Sequence, residues 1–445
     1  MKNVVFWVGV KNEHYAEKYG GWEWMDISRK TWEYWCKKHD VIFFPMEKPL
    51  NDDLVNYRIN WQKSIYCFDL LDQAGIDYDQ IFLADATCMV KWDMPNIFEL
   101  TDHKFTAWRE TDNLNWVYQS IKGYEDFFCY DLNKHDYFSS GVIIFNKSHK
   151  DIFLEFKDLY LNNVDEFVEL QDKIVRKGTE QTPLNYWVQK NAVELNLDLP
   201  FSYKLTHIHR KDMFKNNWQL QEDTTPFFIK YGYNWVFNGI PKNQRTEVMS
   251  QTWDLVKHNY DENHILNKLV HKDEWCKTTS RKFKEDILRI FDNKDMVCLE
   301  LGSCRGDTTR IFAECFKRVH SFERSDENIK YIKERCSDVD NIEYNQMDVY
   351  SSDFKIPNDI DVAFVDAGHS TDLVLHDIKR LLENNSKMIL IFDDYGQKDE
   401  SIKTAVIESE VEISRHIGEY NGFTFNRLNG ESVTLTGREG VICNL

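Results

Sequence analysis

CLELGSCRGDTTRIFA, residues 298–313, decides the fold of the C-terminal half. An apolar run carries one acid, Glu300, into a turn that holds Gly302, Ser303 and Gly306, and a helical pattern starts at Thr308. Glycines let a ligand approach the backbone, and a helix N-terminus favours polar or anionic groups. A dinucleotide-binding turn has the pattern G-x-G-x-x-G. Here Glu300 stands at the first position and the glycines are spaced G-x-x-x-G. A carboxylate beside the turn suits a ligand with an amino group better than a pyrophosphate.

Outward from this stretch, short apolar runs at 296–301, 318–323, 341–347, 361–366 and 388–393 end in glycine or acidic residues. Segments 308–316, 328–336 and 374–382 between them have helical spacing. Strand–helix alternation predicts a parallel sheet with helices on both faces. Runs at 432–435 and 441–445 predict a hairpin at the sheet's edge. The N-terminal half is α/β too, with strands expected at 4–10, 41–44, 80–84, 105–108 and 141–145 and helices at 28–38 and 61–74. All 14 tryptophans lie between Trp7 and Trp275. This asymmetry places a boundary near residue 260, with domains at 1–250 and 286–445 and a charged helical connector at 251–285.

The chain has 445 residues, 42% hydrophobic and 29% charged, which suits two or three globular domains. Its formal charge of -19 argues against nucleic-acid binding, since phosphate affinity rests on Lys and Arg. The longest apolar runs fall short of the ~20 residues a membrane span needs. The N-terminus lacks signal-peptide features, so the expected location is cytoplasmic. Ten cysteines without a C-x-x-C pair argue against a zinc site or a disulfide framework.

Beyond the glycine turn, Glu323 ends the second predicted strand, where a carboxylate accepts from a ribose diol, and Asp348 follows the third, beside the place for adenine. These features resemble the class I S-adenosylmethionine methyltransferases, with a Rossmann-like fold, over roughly 280–445. The resemblance implies that Glu300, Gly302, Ser303, Gly306, Glu323 and Asp348 bind S-adenosylmethionine. Further on stand Asp366-Ala367-Gly368-His369-Ser370 and Phe392-Asp393-Asp394-Tyr395. Carboxylates converging at adjacent strand ends repel unless a cation lies between them, and a hard divalent ion with oxygen ligands meets that need. The pattern resembles metal-dependent O-methyltransferases of the catechol and sugar-modifying types. It implies Mg²⁺ on Asp366, Asp393 and Asp394. His369 is read either as the base that takes a hydroxyl proton or as a structural histidine that caps the next helix or orients Asp366.

In the N-terminal half, the strand expected at 80–84, within YDQIFLADATCMV (residues 78–90), delivers Asp85 to a turn with Thr87. Ser139-Ser140-Gly141, Glu180-Gln181-Thr182 and Asn238-Gly239-Ile240-Pro241-Lys242 follow in order. Together they resemble the GT-A glycosyltransferases, family 8-like, over about 1–250. The resemblance implies a nucleotide-sugar donor at Asp85, Thr87, Ser140, Gly141, Gln181, Asn238, Gly239 and Lys242, with Arg58, Lys63 and Arg245 as further candidates, and a glycan acceptor. It also implies Mn²⁺ or Mg²⁺ on Asp85. Thr87 stands where the family has its second acid, and Val236 where it often has a metal-binding histidine; His207 and His209 offer nitrogen ligands instead. The whole then reads as a bifunctional enzyme that adds a sugar and O-methylates a sugar hydroxyl. A methyltransferase with a sugar-binding N-terminal module, or a non-catalytic assembly protein, are the alternatives.

Overall fold

The computed structural model describes residues 2–11, 21–110, 114–175, 180–204, 226–272, 274–275, 277–291, 294–396, 400–419, 424–426, 432–434 and 437–445. His207 and His209 lie outside these residues. The chain forms two compact units, Met1–Tyr260 and Asp261–Leu445. Both are α/β.

In the first unit, β1 (Lys2–Val8), β2 (Ile42–Met46) and β3 (Tyr78–Asp85) are parallel neighbours, ordered β2-β1-β3. The short β4 (Cys88–Val90) follows β3, and β5 (Phe105–Arg109), β6 (Phe138–Asn146) and β7 (Leu195–Asn196) complete the six-stranded sheet. β6 runs antiparallel to both β3 and β5. β1 is apolar and buried from Val4 to Val8 because both faces of the sheet are covered there. Val4, Phe6 and Val8 join Trp61, Ile65 and Phe68 on one face. Val5 and Trp7 join Trp24, Trp32 and Trp35 on the other. The helix expected from residue 28 begins earlier, at Glu23–Lys38, because Trp24 and Met25 extend its buried stripe. A two-stranded ladder pairs β4 with β8 (Asn234–Val236).

The second unit has β9 (Val297–Leu301), β10 (Arg318–Glu323), β11 (Ile342–Gln346), β12 (Val362–Val365), β13 (Ile389–Phe392), β14 (Ile413–Ile417), β15 (Thr424–Asn426), β16 (Ser432–Thr434) and β17 (Gly440–Cys443). Its seven-stranded sheet has the order β11-β10-β9-β12-β13-β17-β14. β17 is antiparallel to both its neighbours. The chain moves outward from β9 through β10 to β11 and returns to β12 on the other side. That reversal opens a crevice at the carboxyl ends of β9 and β12, where open α/β sheets bind ligands.

Two expectations are corrected. The final runs do not pair as an edge hairpin: β16 pairs with β15, whereas β17 inserts between β13 and β14. The apolar Val441, Ile442 and Cys443 are fully buried, which an edge position would not allow. No single helical connector spans 251–285 either. The helix Arg245–Val256 buries Val248, Met249 and Val256 in the first unit's core, while Arg281–Ile290 buries Phe283 and Ile287 in the second's. Among the described residues no helix is long and apolar enough to cross a membrane.

Candidate functional sites

At the end of β9, Glu300 is completely buried. Its Oε2 accepts from the Thr309 hydroxyl at 2.7 Å, and Oε1 has no hydrogen-bond partner. Burial pushes its carboxyl up to about 7. A buried oxygen without a donor is costly, and a ligand's amino group would satisfy it. Gly302 has φ +90°, and a Cβ there would lie 2.5 Å from the Asp366 carbonyl oxygen. This glycine therefore lets the ends of β9 and β12 touch. Glu323, ending β10, is held by two backbone donors: Cys304 N–H at 2.9 Å to Oε2 and Ser325 N–H at 2.8 Å to Oε1. Its carboxylate is fixed at the crevice with lone pairs to spare for a diol. Gly306, at φ +85°, starts the helix Asp307–Cys315, and Ser303 bonds through its hydroxyl to Ser321. A cavity at this turn is lined by Glu300, Gly302, Ser303 and Asp366 together with Lys277 and Thr278. Asp348 is not among its lining residues. It is exposed, and its Oδ1 accepts from the Tyr350 N–H at 2.9 Å, so it closes a turn.

Beside this cavity, Asp366, His369 and Asp394 each offer a ligand atom within 4.8 Å of the others. His369 Nδ1 lies 3.6 Å from Asp394 Oδ2. Burial, with Asp393 and Asp394 adding repulsion, pushes the Asp366 carboxyl well above the usual carboxylate range. Asp394 has φ +58° and Cys304 φ +50°, non-glycine residues in the left-handed region. Such strain persists where the surroundings over-determine it, often at binding sites. The helix after His369 is capped by Ser370, whose hydroxyl accepts from Leu373 N–H, so His369 does not serve as that cap.

Asp393 is not in that group, and its Oδ1 is buried without a partner. It faces the buried Lys272, whose Nζ lies 3.0 Å from Asp394 Oδ1, 3.4 Å from Glu439 Oε1 and 3.7 Å from Asp393 Oδ2. Burial alone would lower the lysine's pKa, but Asp393, Asp394 and Glu439 outweigh it and raise it. Burial still pushes the Asp393 carboxyl up to about 8.

In the first unit, the four motifs converge. Asp85 Oδ1 accepts from Lys63 Nζ at 2.8 Å, and the same lysine lies 3.3 Å from Glu180 Oε1. The Ser140 hydroxyl donates to Glu180 Oε1 at 2.7 Å, and the Ser140 backbone N–H donates to Gln181 Oε1 at 3.2 Å. A Cβ on Gly141 would meet Asn238 Nδ2 at 3.4 Å and Asp85 Oδ2 at 3.5 Å, so that glycine sits beneath both. Gly239 follows at φ +74°. Burial holds the Asp85 carboxyl above its ordinary value although Lys63 draws it down. Lys242 opens a 3-10 turn, but its side chain lies outside the described residues. Arg58 pairs with Asp172 at 2.5 Å. Arg245 packs its guanidinium 4.9 Å over Trp24 and lies close enough to draw down the Asp85 carboxyl.

The Thr87 hydroxyl is buried without a partner, and Val236 pairs directly with Cys88 in the β4–β8 ladder. The two positions that depart from the family pattern are thus neighbours. Among the described residues no three ligand atoms gather at Asp85, and Lys63 supplies its positive charge.

No protein-family model and no curated protein matches the chain. Solved structures do. A glycosyltransferase involved in the glycosylation of the major capsid of PBCV-1 is similar at 12% identity and TM-score 0.37, covering 56% of this chain and 100% of its own. A putative methyltransferase from Streptococcus mutans, in complex with SAH, is similar at 15% identity and TM-score 0.26, covering 36% of this chain and 94% of its own. A precorrin-6y C5,15-methyltransferase from Geobacter metallireducens gives 11% identity and TM-score 0.30, covering 40% and 94%.

Sequence reasoning missed Lys272, Glu439, Lys277 and Thr278. Lys272 lies in a stretch dense with lysines, where spacing does not distinguish a buried one. Glu439 had a local signal, an acid between Gly437 and the apolar end of the chain.

Two outcomes test the crevice. Gly302→Ala places a methyl against the Asp366 carbonyl in a backbone conformation that L side chains avoid. It should cost about 1–3 kcal/mol and weaken S-adenosylmethionine binding, read by thermal melting and calorimetry. Glu300 gives a pH effect. Its folded pKa exceeds the ordinary 4.5, so the folded apo protein keeps a proton that the unfolded chain loses. Stability therefore falls as pH rises from about 4.5 to about 7, and then levels. A ligand ammonium needs the ionised carboxylate, so affinity should rise by up to about tenfold between pH 6 and 8, with proton release on binding. Glu300→Gln should flatten that profile.

Proposed function

We propose that this chain is a transferase with two sites: the first unit transfers a sugar from a nucleotide-sugar, and the second methylates a sugar hydroxyl with S-adenosylmethionine. The observation that carries the reading is the crevice of the second unit. There the orphaned Glu300 oxygen and the backbone-held Glu323 adjoin the Asp366–His369–Asp394 group.

Glu300 would hold the methionine ammonium and Glu323 the ribose diol of S-adenosylmethionine, which would supply the methyl group. Asp366 and Asp394 fit a hard divalent cation such as Mg²⁺. When bound, it lowers the pKa of an acceptor hydroxyl and orients it. His369 Nδ1 lies 3.6 Å from Asp394 Oδ2, and a ring nitrogen of this exposed histidine would accept the hydroxyl proton. The hydroxyl oxygen bonds the methyl carbon as the sulfur–methyl bond breaks, leaving S-adenosylhomocysteine. In the first unit, Asp85, Gly141, Gln181 and Asn238 would line the donor site, with Lys63 setting the charge of Asp85. Two sites on one chain raise the local concentration of the intermediate at the second.

Mass spectrometry of methyl transfer to mono- and oligosaccharides, with S-adenosylmethionine and Mg²⁺ and again with chelator, tests this reading. A methyl-mass gain on a glycan that disappears with chelator is expected. Modification of catechols with no glycan modified would refute it. A second reading, a methyltransferase with a sugar-binding N-terminal module, is favoured by the hydrophobic and hydroxyl side chains at Val236 and Thr87. It predicts no sugar-nucleotide turnover.

A further inference from the structure

We infer that the first unit binds carbohydrate at a second place, a cavity at the β5–β7 end of its sheet, which seats the sugar units behind the receiving hydroxyl of an acceptor glycan. This rests on the proposed sugar-transfer reading of the first unit.

The cavity has a volume of about 410 Å³, within the ~300–1,000 Å³ of small-molecule sites. None of its lining residues belongs to the motifs around Asp85. Tyr130, Val193, Leu195 and Leu197 supply its apolar surface. Arg109, Asn133, Asp136, Gln189 and Asp198 supply its polar groups.

These polar groups hold one another in place. The Asn133 N–H donates to Gln189 Oε1 at 2.9 Å, and Gln189 Nε2 donates to the Asn133 carbonyl at 3.2 Å. Asn133 Nδ2 donates to Asp136 Oδ2 at 2.6 Å. Arg109 Nη1 donates to the His135 carbonyl at 3.1 Å, and Nη2 lies 3.4 Å from Asp198 Oδ1 and 3.7 Å from Asp136 Oδ1. The Tyr130 hydroxyl donates to the Gln189 carbonyl at 3.3 Å, which fixes its ring. Walls held in this way need little ordering when a ligand arrives, so less affinity is lost.

Charge and polarity select the ligand. Among the lining residues two carboxylates stand against one guanidinium, which disfavours phosphates, nucleotides and uronic acids. A wholly apolar ligand would strip water from the polar side chains and return no hydrogen bond. A neutral sugar meets both demands. Its C–H face packs on the tyrosine ring and the aliphatic side chains, and its hydroxyls bond the amide, carboxylate and guanidinium groups.

Position makes this an acceptor subsite. Arg109 ends β5 and pairs with Phe138 of β6, two residues before Ser140. The helix Gln181–Lys190 spans the interval, from Gln181, which accepts from the Ser140 N–H, to Gln189 in the cavity wall. Its eight intervening steps cover roughly 12 Å. A single sugar ring does not bridge that distance, whereas an oligosaccharide with its reactive end at the donor does.

The test is binding of the full chain to an array of immobilised oligosaccharides of one to four units, neutral and uronic. Wild type, Tyr130→Ala and Asp198→Ala are compared, with thermal melting as the fold control. Release of nucleoside diphosphate from a panel of nucleotide-sugars is measured alongside. Wild type should bind neutral glycans of two or more units more tightly than their monosaccharides, and each variant should lose tenfold or more in affinity. The Asp198 side chain is 89% exposed, so Asp198→Ala keeps the test decisive if Tyr130→Ala fails to fold. Unchanged binding by the folded variants, binding confined to uronic glycans, or no glycan bound by wild type would overturn the inference. Glycan binding that depends on the cavity, without nucleoside diphosphate release by wild type, would overturn the sugar-transfer reading beneath it and leave a sugar-binding module.

Discussion

Asp366→Asn should reduce methyl transfer by on the order of 10³-fold while the protein stays folded. Asparagine keeps the shape of the residue at the end of β12 but not its charge. Removal of a preorganised charge that acts on the reacting oxygen typically costs 10²–10³-fold or more. The fold should tolerate the change well. Burial and the neighbouring Asp393 and Asp394 already disfavour the ionised Asp366, so a neutral side chain relieves repulsion in the apo protein. Its melting temperature should therefore match or exceed that of wild type at neutral pH. Activity lost together with stability would place Asp366 in the scaffold and remove it from the chemistry.

The second large effect is in the first unit. Asp85→Ala should abolish sugar transfer and destabilise the unit by about 3–5 kcal/mol, the usual cost of leaving one member of a buried ion pair without its partner. Lys63 is 2% exposed and would retain Glu180 at 3.3 Å as its counter-charge, with the Ser140 carbonyl at 3.3 Å. Asp85→Ala/Lys63→Met removes both charges and should recover part of that loss, because an apolar replacement leaves no uncompensated cation. Transfer should stay absent in the double variant. Unfolding by denaturant and donor-hydrolysis assays separate the two quantities. Transfer restored in the double variant would mean that Asp85 serves only to neutralise the lysine.

The two sites differ in how much of them was legible. The candidates Glu300, Gly302 and Glu323 are picked out by local rules: an acid ending an apolar run, a glycine where the strand turns into a helix. Asp85, Gly141 and Gln181 were visible through motifs in chain order, and the sheet brings them together because β3 and β6 are hydrogen-bonded neighbours. Asp348 turns one carboxylate oxygen onto its own backbone, at Tyr350 N–H, a contact that chain order did not announce. The hairpin at the C-terminus was misread. Strand pairing is a choice among distant partners, and β17 found its partners in β13 and β14.

By itself, the sequence determined the two α/β units, the glycine turn of β9 and the acids at the strand ends. These follow from periodicity and from the conformational needs of single residues, which neighbours in the chain express. Only the tertiary structure decided the charge arrangement of each site. Lys63 reaches Asp85 across 22 positions and Lys272 reaches Asp394 across 122. Which lysine is buried among which acids depends on where the fold excludes water, and the spacing of charges along the chain carries no record of that.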